Sequence, residues 1–184
     1  MASQKPKILL HVCCAVCGAY LIELLKEKYE VILYFYNPNI HPKEEYEKRK
    51  ESAKKLAEIY NIDFIEEKYI PEKWFEIIKG LENELEGGKR CPICFEMRLR
   101  ETAISAENNN IPYFTTTLSI SPYKDEKIIN ETGEKIAKEY DLNFLEIGEL
   151  GNKQDLWQKT KELAKKHNFY HQKYCGCIFS QKVN

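Results

Sequence analysis

KILLHVCCAVCGAYLIELLKEKYEVILYFY, residues 7–36, decides the fold. KILLHV (7–12) is a short unbroken apolar run, the pattern of a strand buried on both faces. Over about 18–28 the apolar positions switch to helical spacing, with Leu21, Leu24, Leu25 and Tyr29 on one side. VILYFY (31–36) is a second apolar run. Strand, helix and strand in so short a span make a βαβ unit, which sets its two strands parallel. The same alternation continues outward. The Pro/Asn loop NPNIHP (37–42) ends the second strand, and a charged helix follows over about 43–60 with Tyr46, Ala53, Leu56, Ala57 and Tyr60 on one side. DFIEEKY (63–69) is a weaker strand, a helix near 72–80 leads into EGGKRC, and 92–108 is helical. YFTTTLSI (113–120) is a β-branched strand. Ser121 and Pro122 open a helix of about 122–140, with Ser as N-cap and Pro in the first turn. LNFLEI (142–147) is the last strand and 155–167 the last helix. The expectation is one α/β domain over 1–184, a largely parallel twisted sheet flanked by helices.

The chain of 184 residues is 43% hydrophobic and 12% aromatic, enough to bury a core, which excludes wholesale disorder. Its 28 basic and 29 acidic residues exclude a uniformly basic coat. Charge is nonetheless uneven. Residues 151–184 carry seven lysines against Asp155 and Glu162, while the body is net acidic. Such a run is commonly a solvated helix face; its sharper reading is a surface that meets a polyanion. No stretch approaches ~18 uncharged apolar residues, so no membrane span is expected. MASQKPKILLHV lacks the cleavage pattern of a signal peptide. A cytoplasmic setting follows, where thiols stay reduced.

Seven cysteines fall in three groups: Cys13, Cys14 and Cys17; Cys91 and Cys94; Cys175 and Cys177. An odd count cannot pair completely. Cys14/Cys17 and Cys91/Cys94 both have the C-x-x-C spacing that brings two sulfurs to one metal or cluster. The first group follows the first strand directly, with a helix opening at Gly18, and in open α/β sheets ligands bind at that end of the strands. A helix N-terminus there also favours thiolates. One structural zinc held by four sulfurs is the plain competitor, but it leaves three cysteines unexplained. Cys175-Gly176-Cys177 is too tight for the usual C-x-x-C bite. It suits a strained, easily cycled disulfide, with Gly176 permitting unusual backbone angles, and further metal ligation is the alternative.

Other candidates are polar residues at the same end of the sheet. His41, in the loop with Asn37 and Asn39, could donate a proton, although an exposed loop histidine is usually just solvated. Ser121 and Lys124 of SPYK place a helix N-terminus and a cation beside a strand end, a phosphate or substrate contact. Arg49 and Lys50 read as helix surface, and Trp74 and Trp157 as packing. Neither G-x-x-x-x-G-K-[ST] nor G-x-G-x-x-G occurs, and cysteines stand where a pyrophosphate loop would, which disfavours ATP use.

LLHVCCAVC (9–17), FYNPNIHP (35–42), EYEKRK (45–50), GGKRCPICFEMRL (87–99) with ETA (101–103), YFTTTLSISPYK (113–124) and YCGCIFS (174–180) together resemble the cobalamin-independent epoxyqueuosine reductases, the QueH family. The resemblance runs in order from Leu9 to Ser180. It implies an adenine-nucleotide α-hydrolase-like fold that has lost its nucleotide loop. It also implies a 4Fe–4S cluster and the two-electron deoxygenation of epoxyqueuosine in tRNA to queuosine. By motif position it implies cluster ligands at Cys13, Cys14, Cys91 and Cys94 and a redox-active pair at Cys175 and Cys177, re-reduced by an external electron donor. Some members have Asp where this chain has Cys17, which makes Cys17 a candidate ligand to one additional iron. The basic 151–184 segment with its C-G-C tail would complete the site. The sequence departs from the family at LEIGELGNKQDLW (145–157) and at YHQKYCGC (170–177), where His171 and Lys173 replace Arg and Asn, so tRNA contacts and exact substrate are the parts least carried over. Two competitors stay open: an iron–sulfur/thiol reductase of another substrate on the same scaffold, and a zinc-stabilised RNA-binding module without catalysis.

Overall fold

The computed structural model describes residues 4–181. Five strands form one sheet: β1 (Lys7–His11), β2 (Glu30–Phe35), β3 (Asp63–Glu66), β4 (Tyr113–Thr116) and β5 (Asn143–Phe144), in the order β3-β2-β1-β4-β5. All neighbours are parallel, with Ile8 opposite Val31 on one side and Tyr113 on the other. Six helices connect or follow them: α1 (Ala15–Lys28), α2 (Lys43–Tyr60), α3 (Pro71–Ile77), α4 (Arg90–Asn108), α5 (Glu126–Glu139) and α6 (Lys153–Lys166). α1 packs against α2 and α6, and α4 against α5 and β1, so the middle of the sheet is covered. Ile8, Leu9 and Leu10 of β1 have no exposed surface, which explains their unbroken apolar run.

The chain runs outward from β1 through β2 to β3, then returns to place β4 on the other side of β1. The order reverses between β1 and β4, and the crevice outside the carboxyl ends of such strands is where doubly wound sheets bind ligands. Cys13 and Cys14 follow β1 at this point, and Thr117 follows β4.

Local chemistry shifts several expected boundaries. α1 opens at Ala15, not Gly18, with Cys14 as its extended N-cap, so Cys17 lies inside the first turn. The strand expected over 113–120 stops at Thr116, whose Oγ1 accepts from the Leu118 N–H (3.1 Å) and turns the chain into a 3-10 turn, Thr117–Ile120. Ser121 is not a helix cap. Its Oγ accepts from the Tyr123 N–H (3.3 Å), and α5 starts later, capped by Asp125, which accepts from Ile128 N–H (3.2 Å). The last strand shrinks to Asn143–Phe144, and α6 starts at Lys153 behind an Asn152 cap.

Candidate active site

Two groups of thiols gather at the switch point. Cys13, Cys14 and Cys17 are buried on the β1–α1 turn. Hydrogen bonds from Cys14 and Cys17 hold the Cys13 thiol well below its ordinary value, with the Lys124 and Arg98 charges assisting. The same bonds push Cys14 up to about 12 and Cys17 well above its usual range. Within the trio, Cys13 is therefore the thiol most readily ionised. Cys14 Sγ also accepts from the Gln172 amide (3.1 Å).

The second group comprises Cys91 and Cys94, in the first turns of α4, with Cys175 and Cys177 of the tail. Cys94, Cys177 and the fully buried Trp74 form a small apolar cluster to which Cys175 packs. Burial pushes Cys94 up to about 12 despite Arg98, and pushes Cys177 up as well. The Gly87 N–H points at Cys91 Sγ (3.2 Å), and Arg98 donates to Cys94 Sγ (3.1 Å) and Cys94 O (3.2 Å). Arg98 is buried and its charge acts on both Cys13 and Cys94, so one guanidinium joins the two groups.

Two clefts open onto these thiols. A narrow one is lined by Cys91, Cys94, Cys175 and Cys177 beside Trp74 and Phe95. A wider one is lined by Cys13, Cys17 and Cys175 beside Arg49, Lys124 and Lys173. Glu86, Tyr123, Lys124 and Cys175 belong to both. Residues that line the clefts carry buried polar atoms without partners among the described residues: Asn39 Oδ1 and Trp74 Nε1 at the narrow one, Thr117 Oγ1 and Gln172 Oε1 at the wide one. Orphaned buried polar atoms are rare in finished cores and mark places where a ligand or water completes the bonding.

Among the described residues no three His, Cys, Asp or Glu side chains converge on one point suited to a metal ion. The donor chemistry still fits an iron–sulfur cluster. Of the four sulfurs expected as ligands, Cys14, Cys91 and Cys94 already accept N–H bonds, the contacts that tune such clusters.

Among the other expected residues, Ser121 and Lys173 line the wide cleft, Lys124 both clefts and Asn39 the narrow one. Asn37 and His41 line neither. Asn37 donates to Val12 O (2.9 Å) and ties the β1 end to the following loop. His41, expected as an exposed proton donor, is buried, its ring 4.6 Å from that of Phe75, and burial lowers its pKa.

Arg49, expected on the helix surface, is 1% exposed. Its Nε donates to Glu45 (2.7 Å), its Nη1 to Cys175 O (3.1 Å) and its Nη2 to Tyr174 O (2.9 Å). Glu45 also accepts from Tyr170 OH (2.6 Å). His41 N–H donates to Gly176 O (2.8 Å), and Tyr174 OH to His41 O. A Cβ on Gly176 would stand 2.8 Å from Ile40 Cγ1 and 3.1 Å from Arg49 Nη1, and its φ of +108° already demands glycine. Arg90, equally buried, donates to three carbonyls of 81–84 and fixes the Gly-rich loop before Cys91. The local signal for Arg49 and Arg98 was i,i+4 spacing alone, Glu45/Arg49 and Cys94/Arg98.

Residues 8–183 match the family profile described as Epoxyqueuosine reductase QueH. The protein named Epoxyqueuosine reductase QueH from Acinetobacter baylyi is 41% identical over 188 residues, covering 98% of this chain and 83% of the relative. That of Streptococcus pyogenes serotype M1 is 36% identical, covering 98% and 72%. Among solved structures, the U34-tRNA thiolase NcsA from Methanococcus maripaludis with its [4Fe-4S] cluster overlaps at a TM-score of 0.46 and 11% identity, covering 98% of this chain and 80% of that one. The family profile and these relatives place the chain in the epoxyqueuosine reductase QueH family.

Proposed function

We propose that this protein removes the epoxide oxygen from epoxyqueuosine in tRNA. The observation that carries the reading is the meeting of two thiol groups at the β1/β4 switch point, in adjoining clefts that share Cys175. Cys13, Cys14, Cys91 and Cys94 would hold a 4Fe–4S cluster, and Cys17 is the remaining sulfur of the trio, which would serve one further iron as its ligand. When bound, the iron supplies one-electron transfer and a Lewis acid for the leaving oxygen. The chain's own part is placement and electrons. Arg49 and Gly176 fix the tail so that Cys175 faces both clefts. Arg98 keeps positive charge between the thiol groups, and Lys124 stands where both clefts meet. Overall, the epoxide takes two electrons and two protons to give an alkene and water. Cys175 and Cys177 give up the same number as they close to a disulfide, which an external donor reopens. The tail of 151–184 belongs to the same catalytic unit.

Anaerobically purified protein is the test. Expected are iron and acid-labile sulfide, conversion of epoxyqueuosine to queuosine in digested tRNA, and a Cys175–Cys177 disulfide after one turnover without external donor. Cys91→Ser and Cys94→Ser should lose iron. A colourless, zinc-containing protein with no turnover defeats the reading. Repeated turnover by Cys177→Ser with a chemical reductant removes the disulfide from it.

A further inference from the structure

We infer that Tyr123 is a stacking platform for a nucleotide next to the modified one, and so selects a single-stranded RNA loop over a free nucleoside. This rests on the proposed tRNA substrate. Tyr123 is 80% exposed, yet it stands where the two clefts join, lining both together with Lys124 and Cys175. Among the described residues no other ring or cation covers its ring, so its π face is free. A short turn holds it there, its N–H bonded to Ser121 Oγ (3.3 Å).

The wide cleft has the chemistry of a strand of RNA. Among its described lining residues Arg49, Lys124 and Lys173 stand against one carboxylate, Glu86. Thr117 and Gln172 line it and each carries a buried polar atom without a partner among the described residues, which points to a polar ligand. Proteins that read single-stranded RNA splay the bases and stack them on aromatic faces, with cations on the phosphates. Tyr123 is the exposed ring at the mouth, and Lys124 is the adjacent cation.

The experiment compares Tyr123→Ala and Tyr123→Phe with wild type, each with iron content and visible spectrum recorded. Two quantities are read: the Kd of a fluorescent anticodon stem-loop, and KM and kcat on epoxyqueuosine-containing tRNA. One stacked base corresponds to about 5- to 150-fold in affinity. Tyr123→Ala should raise Kd and KM by that factor with kcat within about twofold, whereas Tyr123→Phe should match wild type. The inference is overturned by unchanged Kd and KM in Tyr123→Ala, by an equal loss in Tyr123→Phe, or by wild type that does not bind the stem-loop. Wild type that binds the stem-loop but leaves the epoxide intact refutes the proposed reaction instead, and the Kd comparison still decides the role of Tyr123.

Discussion

Arg49→Met should be among the most costly single changes outside the strands. The guanidinium is 1% exposed and its carboxylate partner on Glu45 9% exposed. Removing one member of a buried pair strands the other charge, which costs about 3–5 kcal/mol. That is a large part of the ~5–15 kcal/mol that holds a domain of this kind together. Most of the loss comes from the Glu45 carboxylate left behind, so neutralising it should restore much of the loss. Urea unfolding of the reduced, iron-free protein reads this, followed by the fluorescence of Trp74, which is buried in the cluster with Cys94 and Cys177. Arg49→Met combined with Glu45→Gln should lie at least about 1 kcal/mol above the sum of the two single changes. Additivity within about 0.5 kcal/mol refutes the reasoning, as does an Arg49→Met variant within about 1 kcal/mol of wild type.

Gly176→Ala combines a positive φ with a collision against Ile40; turnover should fall at least tenfold while iron content stays near wild type. Gly133→Ala puts a Cβ 2.6 Å from the Phe144 ring, and should lower stability by about 1–3 kcal/mol with kcat on the surviving folded protein unchanged. Burial and then Arg98 lower His11 from 6.5 to about 4. The folded chain thus refuses a proton that the unfolded chain accepts, so stability holds above pH 6.5 and falls toward pH 4, by about 3 kcal/mol in the iron-free protein. His11→Gln should flatten the urea midpoint over that window. Lys173→Glu should weaken tRNA binding and reduce its salt dependence by about one to two charges, whereas Lys161→Glu, outside both clefts, should change it less.

The parallel sheet was legible because β1 and β2 are buried on both faces and leave unbroken apolar runs, and helix 43–60 because its stripe of Tyr46, Ala53 and Leu56 is long. Ends were less legible. Ser121 and Asp125 are both good caps, and only the turn at Tyr123 decides between them. Cysteine spacing pointed to the thiol site, and the structure separates it into a trio and a quartet with Cys175 facing both clefts. Arg49 could not be read correctly. In EYEKRK it is one cation among several on a charged helix, and its deciding partner, the Tyr174 carbonyl, lies 125 residues downstream. Burial of a charge by a distant segment leaves no periodic trace.

The way that segment is held bears on how the proposed Cys175/Cys177 dithiol would cycle within it. The tail has no strand or α-helix around Cys175 and Cys177, yet its carbonyls are bound one by one. Arg49 takes those of Tyr174 and Cys175, the His41 N–H that of Gly176, and Ser180 Oγ that of Cys177 (2.8 Å). These bonds go to the backbone, so they persist whether the sulfurs are thiols or a disulfide. Ser180 Oγ, whose hydrogen goes to Cys177 O, can accept from the Cys175 thiol (2.9 Å), and the hydroxyl stays on Cys177 O if that contact breaks. Oxidation then asks for movement at the sulfurs without dismantling the loop. A loop clamped through its side chains would have to be released at each turnover; a loop clamped through its carbonyls does not.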